Sequence, residues 1–278
     1  MKTTCASCAS SSLSRAGASQ YEAIAELYDG YPGNYLEDIS FFVEEAKRAG
    51  PPVLEVGVGT GRLALCLASV GIDVVGIDSS PAMLRVLARK RAGLPRLSGQ
   101  VRTVAADMRR FALGERFPLA IIPFRTFLYL LTRADQRRAL RAVWRHLRPG
   151  GRLVMAFFVP RPELIATRRT ARKEMTRFAA PDGQGEVVAS DWTEVSPGQQ
   201  VISHLSYKWI RENEQPVRRL EHTLVARYLF PEEVRPLLEE CRYRVVDVFG
   251  DFARGPLTAA SREQIWVAER TDGQERGR

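Results

Sequence analysis

The sequence carries a glycine-rich turn whose spacing indicates a ligand-binding loop. In "VLEVGVGTGR" an apolar run is followed by Gly57, Gly59 and Gly61. Such turns bring backbone close to dinucleotides or nucleoside phosphates. The dinucleotide fingerprint requires a small residue where Arg62 stands, and no Gly-Lys-Ser/Thr follows as in a P-loop. The turn therefore predicts a ligand site that fits neither of these two classes.

Carboxylates occur at positions that a ligand at this turn could reach. Asp78 stands 17 residues after Gly61, where an acid can accept both hydroxyls of an adenosine ribose. Asp107 could accept a hydrogen bond from the amine of adenine, with Met108 against the ring. Glu55 precedes the turn and could hold the cationic end of a ligand. Each acid alone could be a helix cap or a surface charge, but together they indicate a nucleoside site.

These residues lie in a region where strand and helix patterns alternate. Strands are predicted at residues 53–58, 73–78, 101–107, 117–124 and 151–158, and helices at about 62–70, 80–92 and 133–147. This alternation predicts a parallel sheet covered on both faces, with its ligand at the carboxyl ends of the strands. The glycine turn and its acids fall at those ends.

The chain divides into five predicted segments. Residues 1–20 are expected to be a disordered tail, residues 21–158 the N-terminal helices and the core, and residues 159–228 a lid with an antiparallel β insertion. Residues 229–270 are expected to supply a helix and strands that complete the core sheet, and residues 271–278 a second tail. The polar, basic start of the insertion is expected to form loop and short helix, followed by three strands.

The motifs "VLEVGVGTGR", "VVGIDSSPAML", "AADM" and "LRPGGRLV", in this order, resemble those of class I S-adenosylmethionine (SAM)-dependent methyltransferases. The resemblance covers roughly residues 21–158. It implies a Rossmann-like α/β fold with a seven-stranded sheet of order 3-2-1-4-5-7-6, in which strand 7 is antiparallel and helices cover both faces. It implies SAM as cofactor, with the glycine turn at its methionine part, Asp78 at the ribose and Asp107 at the adenine. The full set of expected cofactor contacts is Glu55, Gly57, Gly59, Gly61, Asp78, Ser79, Met83, Asp107, Met108 and Phe124.

Finer features resemble the small-molecule members of that family. The stretch "AIIPFRTFLYL" looks like their fourth-strand segment, and they carry an antiparallel insertion after the fifth strand. The fourth strand here lacks the acid often found near its start. The "NPPY"-type signature of amino methyltransferases that act on nucleic acid or glutamine is absent. A small-molecule acceptor is therefore expected.

Aromatic, basic and histidine side chains could form the acceptor site. Arg125 follows the fourth strand, where the methyl group should emerge, and His204 could act as a base if the acceptor arrives protonated. Tyr28 is expected beside them as the third catalytic candidate. The expected substrate contacts are Tyr21, Tyr31, Arg125, Phe127, Tyr207 and Trp209. Many of these aromatic residues could instead pack the insertion against the core.

The charge and the cysteine content limit which ligands and binding partners are expected. The net charge is +9, but 36 of the 41 basic residues are Arg and most alternate with acids, so nucleic-acid binding has only weak support. Residues 161–177 are basic and could favour an anionic acceptor, although a solvated helix face explains them as well. Cys5 and Cys8 form a CxxC without a second pair, so no metal site is expected. No membrane span or secretory signal is recognised, and a cytoplasmic protein is expected.

The sequence leaves several functions open. The leading hypothesis is transfer of a methyl group from SAM to N, O or C of a small molecule, mainly by in-line positioning. An RNA or protein methyltransferase is the first alternative. The same site could also cleave or cyclise SAM, or bind it in a non-catalytic sensor. No feature of the sequence names the acceptor.

Overall fold

The computed structural model describes residues 20–30, 36–196, 198–211 and 216–272. Seven strands form the central sheet: β1 (Val53–Val56), β2 (Val74–Asp78), β3 (Val101–Ala105), β4 (Phe117–Ile122), β5 (Leu147–Phe158), β10 (Tyr243–Phe249) and β11 (Glu263–Arg270). Their order is β10-β11-β5-β4-β1-β2-β3. Only β11 runs antiparallel to its neighbours in this sheet. Because β10 and β11 are its sixth and seventh strands along the chain, the expected order 3-2-1-4-5-7-6 is confirmed.

Helices cover both faces of the central sheet. The helices of the described residues are α1 (Ile39–Ala49), α2 (Arg62–Ser69), α3 (Pro81–Ala92), α4 (Arg133–His146), α5 (Pro162–Thr167) and α6 (Pro231–Glu240), with 3-10 turns at Tyr28–Gly30 and Thr126–Tyr129. Of these, α5 packs against the second sheet, described below. Local signals set the helix starts: the Ser80 hydroxyl accepts a hydrogen bond from the Met83 amide, and the first helical residue of α3 is Pro81. Two large apolar clusters, one on each side of the sheet, form the core.

A second sheet lies between β5 and α6 in the chain. It is antiparallel and four-stranded, in the order β6 (Lys173–Ala179), β7 (Glu186–Ser196), β8 (Gln200–Ile210) and β9 (Pro216–Arg227). The three strands expected from the sequence are present, but β6 was missed. It lies at the sheet edge with most of its side chains exposed, so the alternation that marks a half-buried strand is absent from its sequence.

Residues 20–30, the N-terminal segment, bridge the two sheets. Ile24 and Leu27 pack against the second sheet, whereas Ala25 packs against α3. Acids along this segment pair with bases of α3: Glu22 with Arg85 at 3.3 Å, Glu26 with Arg89 at 2.5 Å and Asp29 with Lys90 at 2.7 Å. The segment is therefore held over the carboxyl ends of the central strands. No helix among the described residues is long and apolar enough to cross a membrane.

Candidate functional site

A cavity of about 500 Å³ lies at the carboxyl ends of β1, β2 and β3, where the sequence placed the ligand. Eight of the ten expected cofactor contacts line it: Gly57, Gly59, Asp78, Ser79, Met83, Asp107, Met108 and Phe124. This "cofactor cavity" also contains Tyr21, Tyr28, Thr126 and Tyr129. Glu55 and Gly61 are not among its lining residues. The volume is typical of sites for small ligands and cofactors.

Two glycines of the turn, Gly57 and Gly61, have positive φ and no room for a side chain. Gly57 has φ +77°, and a Cβ at this position would lie 2.2 Å from Cγ2 of Thr126. Gly61 has φ +82°, and a Cβ there would lie 2.7 Å from Leu87, so this glycine permits close packing of α2 against α3. The turn therefore presents bare backbone to the cavity at Gly57, while Gly61 has a packing role.

Asp78 connects the second strand to the glycine turn. Its carboxylate accepts hydrogen bonds from the Gly59 amide at 2.9 Å and from the Ser80 amide at 2.8 Å. Burial raises the pKa of Asp78, and the backbone hydrogen bonds oppose that rise. Each oxygen still has acceptor capacity towards the cavity, as two ribose hydroxyls require.

Asp107 forms a bidentate pair with Arg109. The guanidinium donates from Nε to Oδ1 at 3.0 Å and from Nη2 to Oδ2 at 2.5 Å. Burial alone raises the pKa of Asp107, but the hydrogen bonds from Arg109 outweigh this effect and hold the pKa below its usual value. Met108 lies between these residues in sequence and lines the same end of the cavity. This end therefore combines a charged acceptor with an apolar side chain.

Glu55 is buried next to a salt bridge. Its side chain is 2% exposed, and its Oε2 has no hydrogen-bond partner among the described residues. Burial raises the pKa of Glu55 to about 8, although nearby Arg62 opposes the rise. Arg62 forms a bidentate pair with the fully buried Asp38 at 2.6 and 2.7 Å. Glu55 and the Arg62–Asp38 pair therefore lie next to the glycine turn, away from the lining of the cofactor cavity.

A second cavity of about 460 Å³ lies between the two sheets. We call it the acceptor cavity. It shares Tyr21, Tyr28, Phe124 and Tyr129 with the cofactor cavity. Tyr21 contacts Tyr129 and Tyr28 edge-to-face, with ring centroids 5.3 and 5.6 Å apart. Burial raises the pKa of all three tyrosines. The two cavities thus meet at these four aromatic side chains, which we call the common wall.

The loop after β4 reaches this wall with a strained backbone. Phe124 and Arg125 have φ of 48° and 66°, a region that residues with a side chain rarely adopt. The Arg125 guanidinium lies over the rings of Phe124 and Phe158, 5.8 and 5.1 Å from their centroids. Arg125 also lines the acceptor cavity, so the strained loop positions both residues where the cavities meet.

The second sheet contributes the other side of the acceptor cavity. Tyr207, an expected substrate contact, is 1% exposed, and its hydroxyl has no partner among the residues described. Asp191 of β7 and Glu263, the first residue of β11, also line the cavity and were not expected from the sequence. No local motif marks either acid. Asp191 lies in the middle of β7 and Glu263 at the start of β11, and a single acid in either position carries no signal in the sequence until the partner strands are placed.

Several expected site residues are not brought to either cavity. The residues of β8 that line the acceptor cavity all have odd numbers, and successive side chains of a strand point to opposite faces, so His204 lies on the other face of the sheet. There its ring stacks on that of Trp192, with centroids 4.9 Å apart. The structure therefore does not bring this expected base to either cavity. Phe127 is fully buried in the core, and Trp209 is buried against the N-terminal segment, so neither is placed as a substrate contact. Tyr31, Cys5 and Cys8 lie outside the described residues.

The basic stretch at residues 161–177 is mostly separate from the site. Arg169 pairs with Glu194 at 3.5 Å, and Arg177 pairs with Glu174 at 2.8 Å. Arg172 lies over the ring of Trp192 on the outer face of the second sheet. From this stretch, within the described chain, Arg161 and Leu164 line the acceptor cavity.

Comparisons with known proteins agree with this geometry. Residues 53–151 match a family model described as a methyltransferase domain. The cypemycin N-terminal methyltransferase of Streptomyces sp is 28% identical over 221 residues, which cover 80% of this chain and 84% of that protein. The structure of the CcbJ methyltransferase from Streptomyces caelestis has 26% identity and a TM-score of 0.74, and covers 91% of this chain and 98% of that one.

A SAM-bound structure supports the same fold. The amino pentose methyltransferase from Micromonospora echinaspora has 21% identity and a TM-score of 0.60, and covers 90% of this chain and 96% of that one. The cofactor cavity fits SAM on its own chemistry. Gly57 provides a wall that a Cβ would fill, Asp78 provides an acceptor for ribose hydroxyls, and Met83 and Met108 provide apolar surface.

Proposed function

Because the chain is a class I SAM-dependent methyltransferase, we propose that it methylates a small molecule held in the acceptor cavity. The observation that carries this proposal is that the common wall residues Tyr21, Tyr28, Phe124 and Tyr129 line both cavities, so that the two cavities meet at these side chains. An acceptor in one cavity could therefore contact the methyl group of a cofactor in the other, as in-line transfer requires.

The residues of the cofactor cavity would hold SAM. Asp78 would accept the ribose hydroxyls, Asp107 and Met108 would bind the adenine, and the glycine turn with Glu55 behind it would face the methionine part. When bound, SAM supplies a methyl group that is already activated by its sulfonium. The protein therefore has to align a nucleophile with that methyl group and keep water out.

The N-terminal segment performs the exclusion of water. Tyr21 and Tyr28 belong to it and form half of the common wall, and three ion pairs hold the segment on α3. The Gln20 side chain also accepts a hydrogen bond from the Val225 amide of β9 at 2.7 Å. Arg125 and Tyr28 would contact the acceptor, and Phe124 would align it.

The size and lining of the acceptor cavity favour a small molecule. It holds about 460 Å³ and is lined by aromatic and aliphatic side chains such as Ile24, Phe158 and Leu205. Arg125, Arg161 and Arg262 line its exposed side and would suit an anionic substituent on the acceptor. The cypemycin N-terminal methyltransferase acts on an N-terminus by its name, which supports nitrogen as the methylated atom.

Labelling of a cell extract tests this proposal. The purified protein is incubated with methyl-labelled SAM and separate small-molecule, RNA and protein fractions. We expect label in the small-molecule fraction together with S-adenosylhomocysteine. Label in RNA or protein would instead establish a macromolecular acceptor. Methylthioadenosine would indicate cleavage of SAM, and SAM that stays bound without transfer to any fraction would indicate a sensor.

A further inference from the structure

Glu263 is an acid of the acceptor cavity that has no hydrogen-bond or ion-pair partner among the described residues. It is the first residue of β11 and pairs in register with Phe158, the last residue of β5, at the edge where the cofactor contacts also lie. No hydrogen bond or ion pair is formed by its carboxylate within the described chain, although its side chain is half-buried. Arg125 acts on this carboxylate through its charge but forms no ion pair with it, so this position is suited to a cationic ligand group.

The surroundings of Glu263 favour an amine rather than an inorganic cation. The cavity is lined mainly by rings and aliphatic side chains, including Phe124, Phe158 and Leu224, which suit an organic body. The Tyr207 hydroxyl is buried without a partner in the same cavity and can accept or donate one hydrogen bond. No cluster of three potential metal-ligating side chains occurs among the described residues.

We propose that Glu263 is a catalytic residue that binds the protonated amine of the acceptor and removes its proton before methyl transfer. This inference rests on the proposed function and names the substrate class of that site. The carboxylate takes one proton, which leaves the lone pair on the nitrogen. The nitrogen then bonds to the methyl carbon while the carbon–sulfur bond breaks, and that electron pair stays on sulfur. The proton leaves the carboxyl group for solvent when the acceptor cavity opens.

The charges around Glu263 are compatible with a proton acceptor. Burial raises its pKa, and the Arg125 guanidinium opposes the rise. A carboxylate with a raised pKa is a stronger base towards an ammonium than an exposed one. The charged and titratable groups that face it are Arg125 from the β4 loop, Arg161 before α5, Arg262 beside it, Asp191 and Tyr207 from the second sheet, and Glu37 and Asp38 before α1.

Binding of simple probes tests the charge preference without SAM. Benzylamine and benzyl alcohol have the same ring, but only the amine is a cation at neutral pH. Ligand-observed NMR titrations are run with the wild-type protein, Glu263→Gln and Glu269→Gln. Glu269 is the matched control, because it lies on the same strand and pairs with Arg244 at 3.0 Å at the surface. We expect wild type and the control to prefer benzylamine at least tenfold, and Glu263→Gln to lose this preference.

Transfer measurements test the proton step. With labelled SAM and the small-molecule extract, Glu263→Gln is expected to lower the rate about 100-fold at neutral pH and to flatten its rise between acidic and neutral pH. Glu263→Asp is expected to recover part of the rate. Equal binding of both probes to the wild type, absence of saturable benzylamine binding, or a Glu263→Gln rate within twofold of the wild type would overturn the inference.

The two proposals fail in different ways. Label found on an oxygen atom of a small molecule overturns the role of Glu263 and leaves the proposed function intact. SAM binding without transfer to any small molecule contradicts the proposed function itself.

Discussion

The backbone amide of Gly59 donates a hydrogen bond to the carboxylate of Asp78 at 2.9 Å. This bond joins the turn after the first strand to the end of the second strand, 19 residues later in the chain. The carboxylate that is expected to hold the ribose thus also holds the loop beside it. One side chain therefore both lines the cofactor cavity and fixes the glycine turn.

Replacing Asp78 by Ala is expected to weaken SAM binding by about 1–3 kcal/mol, because charge-assisted hydrogen bonds are lost. Calorimetric titration with SAM measures this change. Asp73→Ala is the control, since Asp73 stands at the opposite end of the same strand and accepts a hydrogen bond from the Gln100 amide. Unchanged affinity in a folded Asp78→Ala protein would show that the cofactor binds elsewhere.

Gly57→Ala is expected to destabilise the protein more than Gly183→Ala. Both glycines have positive φ, +77° and +74°, so alanine costs about 1–2 kcal/mol in backbone strain at either position. Only at Gly57 does the added Cβ meet Thr126, whereas Gly183 has open space around it. The clash should add about 1–3 kcal/mol, measured by urea unfolding. Equal losses in the two variants would contradict the assigned packing of the turn.

Tyr207→Phe is expected to leave the stability of the unliganded protein unchanged or raise it by up to about 2 kcal/mol. The substitution removes a buried hydroxyl that has no partner and keeps the ring in place. Tyr243→Phe provides the contrast, because the Tyr243 hydroxyl donates to the Leu140 carbonyl at 2.9 Å, and its loss should cost about 1–3 kcal/mol. Thermal unfolding measures the stability of both variants. A loss of stability that is larger for Tyr207→Phe than for Tyr243→Phe would refute the expectation.

Glu55→Gln should change how stability depends on pH. The folded pKa of Glu55, about 8, lies above the ordinary value of 4.5, so the folded state keeps a proton that the unfolded chain releases. Stability from this group is present below pH 4.5 and is lost as pH rises towards 8. The variant lacks this loss, so its stability relative to wild type should rise by roughly 3–6 kcal/mol across that window.

Urea unfolding without SAM at intervals from pH 4.5 to 9 measures this difference. The gain should level off above about pH 8, where Glu55 is ionised in both states. Parallel stability curves for wild type and variant would mean that Glu55 has no raised pKa in the folded protein.

Much of the site could be predicted from the sequence because its signals are local. The spacing of Gly57, Gly59 and Gly61 and the acids after successive apolar runs all occur within single strand–turn units. Parallel strands place their carboxyl ends together, so position along the chain was enough to predict that Asp78 and Asp107 line one cavity. The edge strand β6 was missed because its exposed side chains show no alternation.

The acceptor side could not be predicted in the same way. Tyr207 and His204 lie three residues apart on β8, yet only Tyr207 faces the cavity, because successive side chains of a strand point to opposite faces. The pattern of alternation does not say which face will be covered by the N-terminal segment.

The sequence by itself therefore determined the sheet, the glycine turn and most of the expected residues that line the cofactor cavity, because these follow from short-range periodicity and from the geometry of parallel strands. Only the tertiary structure decided the acceptor site. Glu263, Asp191 and Arg125 come from distant parts of the chain, and their side chains meet in one cavity because β11 inserts next to β5 and the second sheet packs over that edge. Such long-range packing leaves no local pattern in the sequence.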